Sequence, residues 1–397
     1  MSKTKAVSGA RPKKYFSKYK KPLVEFPNLI QHQLDSFEWL VKHGLKNVFK
    51  DFTPISDYSG KKFQLDFESF SLVEPKIDEH YAKENKLSLE AQLKTRVRLT
   101  NKQTASEKEQ EIFLADIPVM TSHGTFIING VERSIIPQLS RSSGVFFTLN
   151  ELRGKRYFGA KIIPNRGVWI EIESEADGAV YVRIDKKRKF PVTSLLRVLG
   201  FTTDADILKA FTGDVAPQII KQSLEKDPAK TVEESYVEIY RKLRDGDMAT
   251  ADNARDFIKN LFSEERYDLS SVGRFRFNKR FELDMSDKEM ERKTLSAADL
   301  AVIVNHIITL NITPGAHEDD IDHLGQRRVR FVGEMLSQKI FMGMTQIKRN
   351  IQDRMSTIDT ATALPIQIIN QRPLQARIKE FFTTNQLSQF MNQENVL

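Results

Sequence analysis

An Asn-Gly pair between aliphatic and aromatic runs is the feature that most constrains the fold of this chain. Asn129-Gly130 lies between the run Phe126–Ile128 and the run Val131–Ile136. A type I′ turn needs positive φ at both central residues, and Asn-Gly adopts it readily. The pattern therefore predicts a tight β-hairpin. Pro137 is expected to end the second strand, because proline has no N–H to donate to a ladder.

The rest of the chain alternates between strand-like and helix-like periodicity. We predict a helix after Asn28, strands over Phe63–Met120 with a polar loop at Thr100–Glu111, and a second hairpin turn at Asp177-Gly178. Residues 266–278 are expected to be irregular or extended. The further strands predicted are Lys155–Ile163, Val168–Ser174 and Ala179–Ile184, and the helices after Pro191 are Val192–Leu199, Asp204–Thr212, Val215–Leu224, Thr231–Arg244, Ala251–Phe262, Ala297–Leu310 and Val329–Ser356.

The charge of the chain is concentrated at its N-terminus. Residues 1–22 carry eight of the 61 Lys and Arg residues and no acid, so the remaining bases equal the 53 acids in number. A basic arm attracts phosphate, but such arms are as often solubilising and disordered. No segment is apolar enough for a signal peptide or a membrane span. The chain has no cysteine, which excludes disulfides and thiolate ligands and suits a reducing compartment.

The stretch His317–His323 is the one metal-like cluster in the sequence. Its imidazoles and carboxylates could ligate a divalent cation, although their spacing fits no standard site, so no metal site is predicted. The favoured interpretation is electrostatic: Asp320 and Asp322 are close enough in sequence to pair with Arg327, Arg328 and Arg330. No phosphate-binding Gly-rich loop or nucleophile elbow is present, and no catalytic residue is proposed.

Basic stretches and one tryptophan have two interpretations each. Arg133 with Arg141, Arg183–Lys189 and Arg327–Arg330 form either solvated ion-pair networks or a convergent nucleic-acid surface. Trp169 is either a core residue, which is the default, or a platform on which a base stacks.

Four motifs carry a resemblance to a known family. Arg133, Arg141-Ser-Ser-Gly-Val-Phe-Phe147 and the Asn-Gly hairpin lie in the first motif, and together the motifs resemble the N-terminal part of the β subunit of bacterial DNA-directed RNA polymerase. Ser143 departs from a proline of the family. The motifs are Asp116–Phe147, Arg266–Asn278, Asp319–Glu334 and Phe381–Gln393.

The resemblance implies an α+β fold in which a discontinuous, strand-rich protrusion domain carries an inserted, mixed and largely helical lobe. The expected organisation is a basic disordered arm at 1–22, the first part of the protrusion at 23–140, the lobe at 141–318, and the second part of the protrusion with the start of the fork and rifamycin region at 319–397.

The resemblance also implies two sets of site residues. The first set matches a pocket that holds an unstacked guanine of the non-template strand: Arg141, Trp169, Asp185, Ile321, Asp322 and Arg327. The second set matches the rifamycin pocket beside the RNA path: Ile136, Leu387, Ser388, Gln389, Phe390 and Asn392. Asn392 replaces an aspartate of the family, which puts normal rifamycin sensitivity in doubt. The segment Phe381–Met391 is expected to lack its partner surface and to be frayed.

The function implied is that of part of a DNA-directed RNA polymerase, a nucleotidyltransferase, in which this segment lines the DNA cleft. Implied partners are DNA, nascent RNA, the α, β′ and ω subunits and a sigma factor, with a cytoplasmic location and no membrane. The family's magnesium is held by β′, so this chain has no cofactor of its own and is expected to be inactive alone. Two alternatives stay open: a free-standing DNA-binding or polymerase-regulating module with the same fold, and a metal-dependent hydrolase using His317–His323.

Overall fold

The chain folds into two compact units, of which the second is inserted into the first. This computed structural model describes residues 27–152, 154–213, 215–244, 250–358, 363–392 and 394. The first unit comprises the described residues of Met1–Pro137 and Phe331–Leu397, and the second comprises those of Gln138–Arg330. The predicted basic arm at 1–22 lies outside the described residues. None of the described helices combines the length and apolar character needed to cross a lipid bilayer.

The first part of the first unit is an antiparallel sheet with short helices. Its strands lie in the order β1-β2-β3-β4, and the hairpin β5-β6 belongs to a separate three-stranded sheet. The elements are α1 (Gln31–Trp39), a π-helical turn (Leu40–Gly44), α2 (Leu45–Phe52), β1 (Ile55–Ser56), β2 (Phe63–Val73), α3 (Glu79–Glu84), β3 (Glu90–Asn101), β4 (Ser106–Pro118), β5 (Phe126–Ile128) and β6 (Val131–Ile135).

The second unit combines a five-stranded antiparallel sheet, ordered β12-β11-β10-β9-β8, with a helical block and a two-stranded ladder, β13-β7. Its elements are β7 (Gln138–Arg141), β8 (Gly144–Leu152), β9 (Lys155–Ile163), β10 (Ile170–Ser174), β11 (Val180–Ile184), β12 (Phe190–Pro191), α4 (Val192–Leu199), α5 (Asp204–Lys209), α6 (Ala216–Lys226), α7 (Val232–Leu243), α8 (Ala251–Leu261), α9 (Ser270–Arg280), α10 (Asp287–Glu291), α11 (Ala297–Ile312), a 3-10 turn (Leu324–Gln326) and β13 (Arg327–Arg330).

The chain then returns to the first unit through a long helix. Apolar residues on this helix recur every three or four positions and are buried in the same core as the β2-β3-β4 face. The elements of this part are α12 (Val332–Thr357), α13 (Pro365–Ile368), α14 (Arg372–Thr383) and β14 (Ser388–Phe390), which completes the sheet β14-β6-β5.

The predicted Asn-Gly hairpin is confirmed. Asn129 and Gly130 have φ of 51° and 79°, and strands β5 and β6 pair on either side of them. A Cβ on Gly130 would lie 2.6 Å from the Cα of Lys86, so both backbone conformation and close packing require glycine here. The mixed α+β class and the helices predicted between Val192 and Leu310 are confirmed as well.

Three predicted boundaries were wrong. The polar loop at Thr100–Glu111 is mostly strand, because β3 and β4 continue as a charged ribbon in which Arg98 pairs with Glu109. The helix expected from Val329 begins at Val332, since Arg327–Arg330 is a strand. Residues 319–330, expected with the second part of the protrusion, lie in the second unit because β13 pairs with β7.

The segment expected to be irregular at 266–278 contains helix α9. Its buried positions are Gly273, Arg274, Phe277 and Asn278, which follow helical spacing but include only one large apolar residue. The guanidinium of Arg274 is buried and binds both carboxylate oxygens of Asp299 at 3.0 and 3.2 Å. Because a charged arginine occupies a buried position of this helix, the apolar pattern of the sequence did not reveal the helical periodicity.

We predict that Arg274→Met destabilises the second unit by about 3–5 kcal/mol, because breaking a buried ion pair leaves the charge of Asp299 poorly compensated. Urea unfolding followed by Trp169 fluorescence in a Trp39→Phe background measures this, since the chain has two tryptophans. Arg255→Met is the matched control: its exposed pair with Glu233 at 3.3 Å contributes at most about 1 kcal/mol. Equal midpoints for the two variants would contradict a stabilising role of Arg274.

Candidate nucleic-acid interface

The site is built on the two-stranded ladder of β7 and β13. Arg141 is opposite Arg327, and Gln138 is opposite Arg330 in the antiparallel register. The pairing continues beyond the ladder, since the N–H of Ser142 donates to the carbonyl of Gln326 at 2.9 Å. Two arginines that are far apart in sequence are thus brought to facing positions.

A cavity of about 300 Å³ opens beside this ladder. Its wall is partly cationic and partly apolar, and the indole of Trp169 forms one side. Asn165 helps to hold the wall, because its side-chain oxygen accepts from the guanidinium of Arg328 at 3.0 Å. The lining residues are Ser140, Arg141, Ser143, Ile163, Pro164, Asn165, Trp169, Arg328 and Arg330.

The carboxylate of Asp322 faces the guanidinium of Arg141. Arg141 Nη2 and Asp322 Oδ1 are 3.9 Å apart, and the side chain of Asp322 is 78% exposed. The ion pair that the structure describes for Asp322 is thus with Arg141, on the facing strand, and not with the arginines that follow it in sequence. The carboxylate of Asp320 instead accepts from the N–H groups of Asp322 and His323 at 3.0 and 3.1 Å.

Trp169 and Asp185 adjoin at the ends of β10 and β11. The N–H of Asp185 donates to the carbonyl of Trp169 at 2.9 Å, and Asp185 has a φ of 52° where the chain turns out of β11. Trp169 is half-buried and lines the cavity, so its ring lies in a wall of the site and is not enclosed in the core. The side chain of Asp185 is exposed.

Five of the six residues of the guanine set are therefore linked within the second unit by pairing, an ion pair or a shared cavity. Ile321 is half-buried in the turn immediately before Asp322. In the basic stretch Arg183–Lys189, both end residues form ion pairs: Arg183 pairs with Glu173 on the neighbouring strand at 3.5 Å, and Lys189 pairs with Glu175. Of the two interpretations of the basic stretches, the structure therefore shows ion pairs at these two positions. Arg133, in the first unit, stacks over the ring of Phe390 at 4.4 Å.

The turn that bears Ile321 and Asp322 is anchored at its start by a charged cluster that the sequence did not reveal. Asp319 accepts from Arg280 at 2.7 and 3.0 Å and from the N–H of Phe147 at 2.7 Å. Arg280 also lies 4.5 Å above the ring of Phe147, and the imidazole of His306 packs against the same ring in a tilted arrangement, with ring centroids 4.6 Å apart. Asn165, Arg280 and Asp319 are distant from one another in sequence, and although Asp319 begins one of the four motifs, only the fold identifies their contacts.

The metal-like stretch His317–His323 has other partners in the structure. Glu318 accepts from the N–H of Leu149 at 3.1 Å, and His323 Nδ1 accepts from the N–H of Gly325 at 3.0 Å. Within the part of the chain that the structure describes, no group of three or more His, Cys, Asp or Glu side chains is placed to share a metal ion. The carboxylates of this stretch organise the turn.

The second set of site residues lies on strand β14 and beside it, in the first unit. Ser388 is buried opposite Ile135, its hydroxyl donates to the carbonyl of Phe382 at 2.6 Å, and the N–H of Ile136 donates to the carbonyl of Leu387 at 2.9 Å. Gln389 and Asn392 are exposed, and Asn392 accepts from the N–H of Glu394.

The expectation that Phe381–Met391 is frayed was largely wrong. Phe381 and Phe382 are buried in the core of the first unit, because α14 packs them there. Ser388–Phe390 pairs with β6 as a strand. Phe390 and Met391 alone in this segment are large exposed apolar residues, and the ring of Phe390 is covered on one face by Arg133.

Comparison with known proteins assigns a family first to the inserted second unit and then to the chain as a whole. Residues 141–330 match the family described as RNA polymerase Rpb2, domain 2. Over nearly its whole length, the chain is also similar to proteins named DNA-directed RNA polymerase subunit beta. The chain belongs to this family of RNA polymerase β subunits.

The relatives come from several bacteria. That of Syntrophomonas wolfei subsp. wolfei is 43% identical over 384 residues, which covers 96% of this chain and 34% of the relative. Those of Lysinibacillus sphaericus and Exiguobacterium sp. are each 37% identical, and the alignments cover 39% of each relative. The chain thus spans between about a third and two fifths of the length of the curated relatives it matches.

We predict that the imidazole of His306 titrates below its ordinary range. Burial and the nearby charge of Arg280 lower its pKa, while Asp319 opposes them. Because the folded pKa is below the unfolded one, the associated stability is fully present above about pH 6.5 and is lost as the pH falls toward the folded pKa. An NMR titration of the imidazole measures the pKa directly.

Arg280→Gln should raise the pKa of His306, because it removes one cationic neighbour and leaves Asp319 in place. His306→Gln should remove the corresponding loss of stability between neutral and mildly acidic pH. A pKa of His306 at or above the unfolded value, or no response to Arg280→Gln, would contradict the assignment.

Proposed function

We propose that this chain is part of the β subunit of a DNA-directed RNA polymerase and that its second unit binds an unstacked guanine of the non-template strand. The observation that carries the proposal is that Arg141 and Trp169 line one cavity within a single unit and that the carboxylate of Asp322 faces Arg141 at 3.9 Å. In this role the first unit is the protrusion and the second is the lobe, and both line the DNA cleft.

The proposed site discriminates guanine by the chemistry of its edges. Guanine presents N–H donors on its Watson–Crick edge and acceptors at O6 and N7, whereas adenine presents an acceptor where guanine has its ring N–H. The carboxylate of Asp322 accepts from the donors of guanine and repels the acceptor of adenine. Arg141 donates toward O6 and N7, and the ring of Trp169 stacks on the base.

The exposure of Asp322 supports this role. A carboxylate that is 78% exposed and 3.9 Å from its nearest cation is only weakly engaged within the protein. It remains available to a ligand, and binding a base does not require breaking a strong internal ion pair. Arg327, opposite Arg141, and Asp185, beside Trp169, complete the proposed pocket, with Ile321 next to the carboxylate.

As part of a polymerase, the chain takes part in template-dependent RNA synthesis by nucleotidyl transfer in the cytoplasm. The proposed partners are DNA, nascent RNA, the α, β′ and ω subunits and a sigma factor. We also propose that the surface near β14, with Ile136, Leu387, Ser388, Gln389, Phe390 and Asn392, resembles the rifamycin pocket beside the RNA path.

We predict that the isolated chain binds a single-stranded oligonucleotide with a central guanine more tightly than its adenine counterpart, with quenching of Trp169 fluorescence. The Trp39→Phe background leaves Trp169 as the one tryptophan. Asp322→Asn should reduce the guanine-to-adenine affinity ratio by about tenfold, because one base-edge contact contributes on the order of 1–3 kcal/mol of discrimination. Trp169→Phe should weaken binding of both oligonucleotides, which is measured by the anisotropy of a labelled oligonucleotide because this variant has no tryptophan.

Asp252→Asn serves as the control, because it removes an exposed carboxylate on α8 in the same unit. Its affinity ratio should equal that of the starting protein. In a complete polymerase, Asp322→Ala should likewise weaken the preference for guanine at one non-template position. Equal affinities for guanine and adenine in the starting protein would refute the pocket.

We further predict that the isolated chain synthesises no RNA. By its resemblance to the family, the catalytic magnesium belongs to the β′ subunit, so the chain alone lacks the centre of the reaction. Incubation with template, nucleotides and magnesium should give incorporation at the level of a protein-free control. Template-dependent RNA above that level would show that a catalytic centre resides in this chain.

A further inference from the structure

At the outer edge of the five-stranded sheet, side-chain carboxylates, and not a neighbouring strand, accept hydrogen bonds from the backbone N–H groups of β8. Strand β8 is at the end of the sheet, so every second backbone group along it needs a partner outside the ladder. The N–H of Phe147 donates to Asp319, the N–H of Leu149 donates to Glu318, and the N–H of Asp319 donates back to the carbonyl of Phe147 at 2.9 Å. Residues 318–319 are thereby fixed against the sheet edge.

Arg280, the last residue of helix α9, holds this junction in place through its contact with Asp319, and this pair of residues is called the clamp. Its two terminal nitrogens bind the two oxygens of Asp319 at 2.7 and 3.0 Å, a bidentate geometry that fixes orientation as well as distance. The guanidinium also covers the ring of Phe147 at 4.5 Å. The Asp319 side chain is 17% exposed, so this pair is better shielded from water than the pair between Arg141 and Asp322.

The position of Asp322 depends on this clamp because the side chain of Asp322 has little to hold it in place. Its one ion pair is long and exposed. Asp322 is three residues beyond Asp319, a span of at most about 11 Å. The other end of the turn is fixed by the hydrogen bond from Ser142 to the carbonyl of Gln326. The clamp and this bond together define where the free carboxylate can lie.

We propose that Asp319 and Arg280 are positioning residues for the guanine pocket, which hold the turn 320–323 so that Asp322 points to the base. This inference rests on the proposed function for its ligand, but the clamp itself has a consequence that does not depend on any ligand. Neither residue lines the cavity. In this proposal they act on base recognition through the position they give to the turn that bears Asp322.

The test compares Asp319→Asn and Arg280→Lys with the starting protein in the Trp39→Phe background. The affinity for the guanine oligonucleotide should fall about three- to tenfold, while that for the adenine oligonucleotide stays unchanged, because the discriminating carboxylate loses its fixed position. A merely structural role would instead weaken both affinities or lower the amount of folded protein, which circular dichroism monitors.

Combination with Asp322→Asn gives the decisive comparison. If the clamp acts through Asp322, adding Asp319→Asn to Asp322→Asn leaves the affinity ratio where the single Asp322 variant put it. An additive further loss would mean that Asp319 affects recognition by another route and would overturn the proposal.

Amide hydrogen exchange separates failure of the clamp from failure of the proposed function. Both clamp variants should exchange faster at residues 320–325, with unchanged exchange in α7, which is remote in the chain and retains its own capping box. If the starting protein shows no guanine preference, the proposed function fails, and faster exchange would still establish the clamp. Unchanged exchange in the turn would refute the clamp, whatever the affinities.

Discussion

The antiparallel pairing of β7 with β13 is the interaction on which the organisation of the chain depends. Gln138 and Arg330, the residues at which the chain enters and leaves the second unit, are opposite one another in the ladder. An insertion whose two ends are paired can be carried by another domain without disturbing the segments before and after it. The same four-residue pairing sets Arg141 opposite Arg327, so the feature that closes the inserted unit also builds the proposed site.

The arginines of the second unit fall into two physical groups. Arg197 and Arg274 are buried, and their terminal guanidinium nitrogens bind aspartates and carbonyls, so removing those partners would be costly. Arg141 is partly exposed and meets its carboxylate at 3.9 Å, a contact that contributes little to stability. Burial and pairing thus distinguish Arg197 and Arg274, which stabilise the fold, from Arg141 at the proposed site, although the sequence presents them alike.

The sequence predicted features that local chemistry determines and missed those that depend on distant contacts. Asn129-Gly130 favours a tight hairpin turn, and the helices that were predicted between Val192 and Leu310 follow helical spacing, so both were predictable. Helix α9 was missed because Arg274 takes the place of an apolar residue and finds its partner in Asp299, on another helix. At the site, Arg141, Trp169 and Asp322 followed from family resemblance, whereas the contact of Arg280 with Asp319 required the fold.

The charge distribution indicates why recognition would depend on one cavity. Outside residues 1–22, the bases and acids of the chain are equal in number, so the body has no large net field to attract DNA. In the proposed function, affinity would come from places where cations are held near an apolar surface, as Arg141 and Arg328 are held near Trp169. A single exposed carboxylate beside them lowers the local positive charge, which weakens nonspecific attraction to phosphate. In the proposed function, the same carboxylate would favour the base whose edge offers donors, so that weaker general affinity would accompany greater selectivity.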